Sequence, residues 1–146
     1  MKPGGPSAKP VREKLGIGGE IVYHLRHAPE GFTEALGDVG DAIHQRSLLP
    51  PLDVIVAFHT SRLALLAEWP KLTAAAEPDG VVWIAWPKRG AATATDLSED
   101  VLREELLPTG WVDNKVCGID ETWSALRFAQ RVERRRPKDN ARRSRR

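Results

Sequence analysis

His27 and His59 are the residues of this chain best placed to do chemistry, because each directly follows a short run rich in β-formers. Glu20-Ile21-Val22-Tyr23-His24-Leu25-Arg26 precedes the first and Leu52-Asp53-Val54-Ile55-Val56-Ala57-Phe58 the second. Histidine titrates near neutrality, so it can carry a charge or pass a proton at working pH. In open α/β sheets, ligands sit beyond the carboxyl ends of the strands, near the point where strand order reverses. That rule selects His27, Glu30 and Gly31 after the first strand, His59 and Ser61 after the central one, and Trp86, Lys88 and Arg89 after the next. Two imidazoles, a carboxylate and two cations suit a small anionic molecule or a proton transfer, and helix N-termini also attract anions. The competing reading gives Ser61 and His59 a capping and flanking role and leaves Lys88 and Arg89 as solvated loop charges.

Other chemistry is less supported. His27, Glu30 and His59 are residue types that bind zinc or iron, but their spacing fixes no coordination sphere, and no metal is expected. Asp120 and Glu121 are adjacent, so they point apart rather than forming an acid and base pair, and Asp120 suits turn hydrogen bonds beside a packed Trp123. Cys117 has no evident base and lies within a strand pattern, which favours burial over nucleophilic chemistry.

The elements that must hold these residues follow from the hydrophobic pattern. A short helix is expected from Pro10 to Leu15, a first strand over Glu20–Arg26, a short helix over Glu30–Leu36 and a weak strand over Asp41–Gln45. The nearly unbroken apolar run Leu52–Phe58 marks a central strand covered on both faces. Thr60 or Ser61 caps the following helix, Pro78-Asp79-Gly80 turns the chain, and Val81–Trp86 forms the next strand. This strand, helix, strand order is a βαβ unit, whose crossover is right-handed. A helix over Glu99–Leu107 and two antiparallel strands, Trp111–Gly118 and Thr122–Arg131, complete the chain. The expected architecture is a Rossmann-like three-layer α/β fold, with a mostly parallel sheet of about six strands and an antiparallel C-terminal edge hairpin.

Composition bounds the function classes. At 146 residues, 41% hydrophobic and 29% charged, the chain suits one globular domain. That domain is placed at residues 10–132, with a Gly- and Pro-rich lead-in over 1–9 and a basic tail over 133–146 expected to be disordered. From Arg131 onward nine basic residues face two acidic ones, so the part that precedes them is mildly acidic. Arg134, Arg135, Arg136, Arg142, Arg143, Arg145 and Arg146 are therefore candidates for phosphate-directed, salt-sensitive nucleic-acid contact without base specificity. One cysteine excludes an internal disulfide. The absence of a bilayer-length apolar run and of an apolar leader points to a cytoplasmic protein with no membrane partner.

Several strings form an ordered set: Pro10-Val11-Arg12-Glu13-Lys14-Leu15-Gly16-Ile17, Ala28-Pro29-Glu30-Gly31-Phe32, Ala85-Trp86-Pro87-Lys88, Thr95-Asp96-Leu97, and Lys115-Val116-Cys117-Gly118-Ile119-Asp120-Glu121-Thr122-Trp123-Ser124. Over roughly residues 7 to 132 the set resembles the small bacterial proteins of domain of unknown function 3052. The resemblance implies a compact Rossmann-like fold and supplies no catalytic residues. The element order is also similar to a shortened class I methyltransferase sheet. Such enzymes need a glycine-rich loop after the first strand and an acid after the second for S-adenosylmethionine. Here the first loop holds one glycine, Gly31, with Pro29, and the second strand ends at Gln45-Arg46. The expected function is thus a non-catalytic protein or a weak binder of an anionic small molecule, with no cofactor. The alternatives are a degenerate methyltransferase-like enzyme that binds S-adenosylmethionine, and a nucleic-acid-associated protein acting through its tail.

Overall fold

The computed structural model describes residues 9–131. The expected tail over 133–146, its seven candidate arginines and nearly all of the lead-in lie outside the described residues. The elements are α1 (Val11–Leu15), β1 (Val22–Arg26), α2 (Phe32–Leu36), β2 (Ile43–His44), β3 (Leu52–Phe58), α3 (Arg62–Ala75), β4 (Ala76–Pro87), α4 (Glu99–Leu106), a single 3₁₀ turn (Leu107–Thr109), β5 (Trp111–Gly118) and β6 (Trp123–Gln130). Six strands form one sheet in the order β2-β1-β3-β4-β6-β5. The first four are mutually parallel, and β6 runs antiparallel between β4 and β5. The mostly parallel α/β sheet with an antiparallel edge is as the sequence pattern indicates. No helix among the described residues is long and apolar enough to cross a membrane.

Strand alternation sorts the core into two layers. Ile55, Ala57, Val82, Ile84, Leu126 and Phe128 face α3 and α4, where they meet Leu65, Trp69, Leu72, Leu102 and Leu106. Val54, Val56, Phe58, Trp83, Ala85 and Ala125 face α1 and α2 and meet Leu15, Phe32 and Leu36. A period of two puts successive residues on opposite faces, which is why β3 and β4 read as continuous apolar runs. Both central helices are capped as their sequences suggest. Ser61 Oγ accepts from Ala64 N–H at 3.2 Å and Ser98 Oγ from Val101 N–H at 3.1 Å, and each cap contributes about 1 kcal/mol.

Two expectations about extent need correction. The Pro78-Asp79-Gly80 segment is not a turn: α3 passes directly into β4, which begins at Ala76 rather than Val81. The pairing with β3 is irregular here: the two steps from Leu52 to Val54 face the five from Ala76 to Val81, so the excess residues lie in β4. A Cβ at Gly80 would lie 3.0 Å from the carbonyl oxygens of both Leu52 and Asp53, so only glycine lets the two backbones pass this closely. Glycine here marks an irregular pairing: Pro78-Asp79-Gly80 has no partner in the ladder and lies in a bulge within β4, so the chain does bend here but the strand already begins before it. The second correction is β2, which pairs with β1 only at Ile43 and His44, so it spans two residues and not the whole of Asp41–Gln45.

Candidate functional site

β1 and β3 are neighbours, yet the chain leaves them toward opposite sides of the sheet: β1 leads through α2 to β2, and β3 leads through α3 to β4. The crevice at their carboxyl ends is therefore the point where strand order reverses. His27 follows β1 directly and His59 follows β3 directly. Both point their Nε2 atoms at one carboxylate, Glu68 of α3. His59 donates to Oε1 at 2.8 Å, and His27 lies 3.0 Å from Oε2 and 3.2 Å from Oε1. Arg26, the last residue of β1, donates its Nε–H to Oε2 at 2.7 Å. An ionised carboxylate only accepts, so each facing imidazole nitrogen carries its proton on Nε2.

Burial sharpens this arrangement. The side chains of His59 and Glu68 are 5% and 11% exposed, while His27 is 49% exposed at the rim. Burial would raise the Glu68 carboxyl, but hydrogen bonds from Arg26, His59 and His27 outweigh it and hold the group below its ordinary value. Burial dominates at His59 and lowers its pKa despite the opposing pull of Glu68, with His27 and Arg26 adding to the decrease. His27 also has φ of 58°, the left-handed region that non-glycine residues seldom adopt and that tends to persist at functional positions. These groups open onto a cleft of about 370 Å³ walled by Phe58, Thr60, Ser61, Ala64 and Trp123. Trp123 packs edge-on against Phe58, with ring centroids 5.1 Å apart.

The structure divides the candidates read from sequence. His27, His59 and Ser61 share this cleft. Trp86, Lys88 and Arg89 line a separate recess of about 600 Å³ with Thr95, Ser98, Glu99, Asp100 and Arg103, on the α4 side of the sheet. Glu30 and Gly31 line neither: Glu30 is exposed, and Gly31 precedes α2 in a left-handed conformation. Asp120 accepts from the N–H groups of Thr122 and Trp123, the expected turn bonds, and Cys117 is half-buried with its thiol pushed up by desolvation. Glu68, the centre of the cluster, is the functional candidate that strand-end reasoning misses, because it comes from the second turn of a helix and not from a loop.

A pH prediction follows from the buried His59 and the half-buried His44. His59 and His44 both lie below the ordinary value of 6.5, each chiefly through desolvation, and at His44 Arg46 and His24 add to it. The unfolded chain then binds more protons than the folded one below pH 6.5, so this stability is complete above that pH and declines as pH falls toward the folded pKa values. The melting temperature is expected to be level between about pH 8 and 7 and to fall progressively below about 6.5. A melting temperature that stays level down to about pH 5 would show that both imidazoles are protonated in place without cost.

The fold and this switch-point crevice place the chain in the methyltransferase-like class of α/β architecture. No protein-family model matches the chain, and no curated protein matches it. Among solved structures, it is similar to an S-adenosylmethionine-dependent methyltransferase from Aquifex aeolicus, with TM-score 0.53 and 13% identity over 81% of this chain and 86% of that one. DhpI, solved as a complex with SAM and HEP, gives TM-score 0.52 and 16% identity over 81% and 83% of the two chains. Magnesium protoporphyrin IX methyltransferase from Synechocystis, solved with bound SAM, gives TM-score 0.52 and 10% identity over 83% and 74%. At these identities the likeness is one of fold.

Proposed function

We propose that the protein binds a small anionic molecule in the cleft between the carboxyl ends of β1 and β3. The observation that carries this reading is the convergence of Arg26, His27 and His59 on Glu68 at the point where strand order reverses. Arg26 balances the charge of Glu68, so the pair does not repel an anion, and the exposed His27 borders whatever enters the cleft from the rim. The Ser61-capped end of α3 borders the same space and adds a favourable electrostatic field for an anion. Phe58 and Trp123 supply an apolar wall for the remainder of the ligand.

A second reading, an enzyme that binds S-adenosylmethionine, is favoured by the solved neighbours that carry SAM. Against it stand the loop after β1, with Pro29 and a single glycine, and the end of β2 at Gln45-Arg46, where an acid for ribose hydroxyls is absent. Membership of the family of domain of unknown function 3052 belongs to the same proposal and rests on the sequence strings quoted above.

A calorimetric and thermal-shift panel on the full chain separates the two readings, using S-adenosylmethionine, S-adenosylhomocysteine, nucleoside phosphates and short dicarboxylates in buffer containing a chelator. A ligand at about 100 times its Kd is expected to stabilise by about 2.7 kcal/mol and raise the melting temperature by roughly 5 to 10 °C. A shift confined to simple anions supports the binder, and a shift with S-adenosylmethionine supports the enzyme. No shift with any of them would sink both.

A further inference from the structure

We propose that His27, His59 and Glu68 form a three-ligand site for a divalent transition-metal ion. One ligand atom from each residue lies within 4.8 Å of the others. One oxygen, Oε1 of Glu68, lies 2.8 Å from His59 Nε2 and 3.2 Å from His27 Nε2. Nitrogen and carboxylate oxygen ligands sit about 2.0 to 2.2 Å from zinc, which sets neighbouring ligand atoms of a tetrahedral site about 3.3 to 3.6 Å apart. The His27 contact is near that spacing, and the His59 contact has to open by about half an ångström to reach it. The two imidazoles form the remaining side, and His27, being half exposed, is the residue free to close it.

The donor set also matches the chemistry of such an ion. Two neutral imidazoles with one carboxylate suit zinc or ferrous iron and leave further positions open. The protons that now join His59 and His27 to Glu68 sit where the ion would go. Binding therefore requires each ring to move its proton from Nε2 to Nδ1, a tautomer change with no net charge transfer. Arg26 does not compete for the whole carboxylate: it holds Oε2 at 2.7 Å, and an ionised carboxylate offers about four lone-pair sites. In the metal-bound state Arg26 is a positioning residue that fixes the carboxylate plane. The open positions face the cleft of Phe58, Thr60, Ser61 and Trp123, so an incoming anion would meet the ion directly. His24 and His44 lie outside this cluster. His24 donates its Nδ1–H to the carbonyl of Gln45, and His44 stacks on Tyr23.

The site is tested on the full chain, prepared without a histidine tag and stripped with chelator, by titrating cobalt(II) and zinc(II) alone. Cobalt(II) reports imidazole and carboxylate ligation through its visible absorption. Binding of one equivalent is expected, with a Kd at or below about 10 µM. His59→Ala and His27→Asn are each expected to weaken it by more than about 100-fold, while His44→Gln leaves it unchanged. Asparagine at position 27 tolerates the left-handed backbone, so this variant decides the matter even where the buried His59→Ala fails to fold. No uptake by the parent chain, or uptake that His27→Asn retains in full, overturns the site. The organic-ligand panel is run in chelator and this titration without organic ligand, so either reading fails alone.

Discussion

Trp83→Ala is expected to lower the stability of the domain by about 4 kcal/mol, in the range found for deleting a fully buried aromatic side chain. Trp83 has no exposed surface and is the largest side chain buried to that degree. It stands on β4 opposite Val56 of β3, in the layer that faces α1 and α2. Its indole N–H donates to the carbonyl of Leu15 at 2.9 Å, the last residue of α1. Alanine therefore removes apolar contacts, leaves a cavity and strips a buried carbonyl of its donor, three losses that act in one direction. Trp83→Phe keeps most of the ring volume but not the donor and is expected to lose about 1 to 2 kcal/mol. Urea denaturation of the three proteins measures the series. A loss below about 1 kcal/mol for the alanine variant would mean that α1 is not anchored through this residue.

The same residue shows what the sequence makes legible. Runs such as Leu52–Phe58 and Val81–Trp86 announce buried parallel strands because every position is apolar, and only a strand covered on both faces needs that. Strand ends then locate His27 and His59 without any structure, since the rule for ligand position depends on topology alone. Glu68 escapes because helix residues carry no such positional rule. A signal was present: Glu68 is the one charged residue between Arg62 and Lys71, three residues after Leu65 and four before Leu72, both fully buried. An acid on the buried stripe of a helix must meet a partner. The backbone of His27 is different, since no local pattern dictates a φ of 58° for histidine. The reach of β4 back to Ala76 was hidden for a similar reason. The close approach of Gly80 to Leu52 and Asp53 is a property of two segments almost thirty residues apart, and glycine in one of them reads locally as a turn. Lys88 and Arg89 were grouped with the histidines because strand ends lie near one another in sequence logic. The sheet separates them, placing them beyond β4 on the α4 side.

Glu68→Ala is expected to be the most informative change at the site, because it acts on stability and on one measurable pKa at once. Removing the carboxylate leaves Arg26 and His59 without their acceptor. Arg26, 31% exposed, can turn to water, whereas His59, at 5%, cannot. The cost is therefore that of one unsatisfied buried donor plus part of an ion pair, about 2 to 3 kcal/mol. Glu68→Gln keeps the volume and one acceptor oxygen and should lose about half as much. The pKa gives the sharper discrimination. At His59, Glu68 is the group that opposes desolvation, through a hydrogen bond and through its charge. Its removal must push the imidazole still further below 6.5 and widen the gap to the unfolded value, so that the acid-induced loss of stability grows. Imidazole resonances followed by NMR across the titration would report this shift, with His44, which does not contact Glu68, as the internal control. A His59 pKa that rises in Glu68→Ala would mean that the side chain has swung into solvent and that the cluster is held by Glu68 alone; an unchanged value would remove Glu68 from its place at the centre of the site.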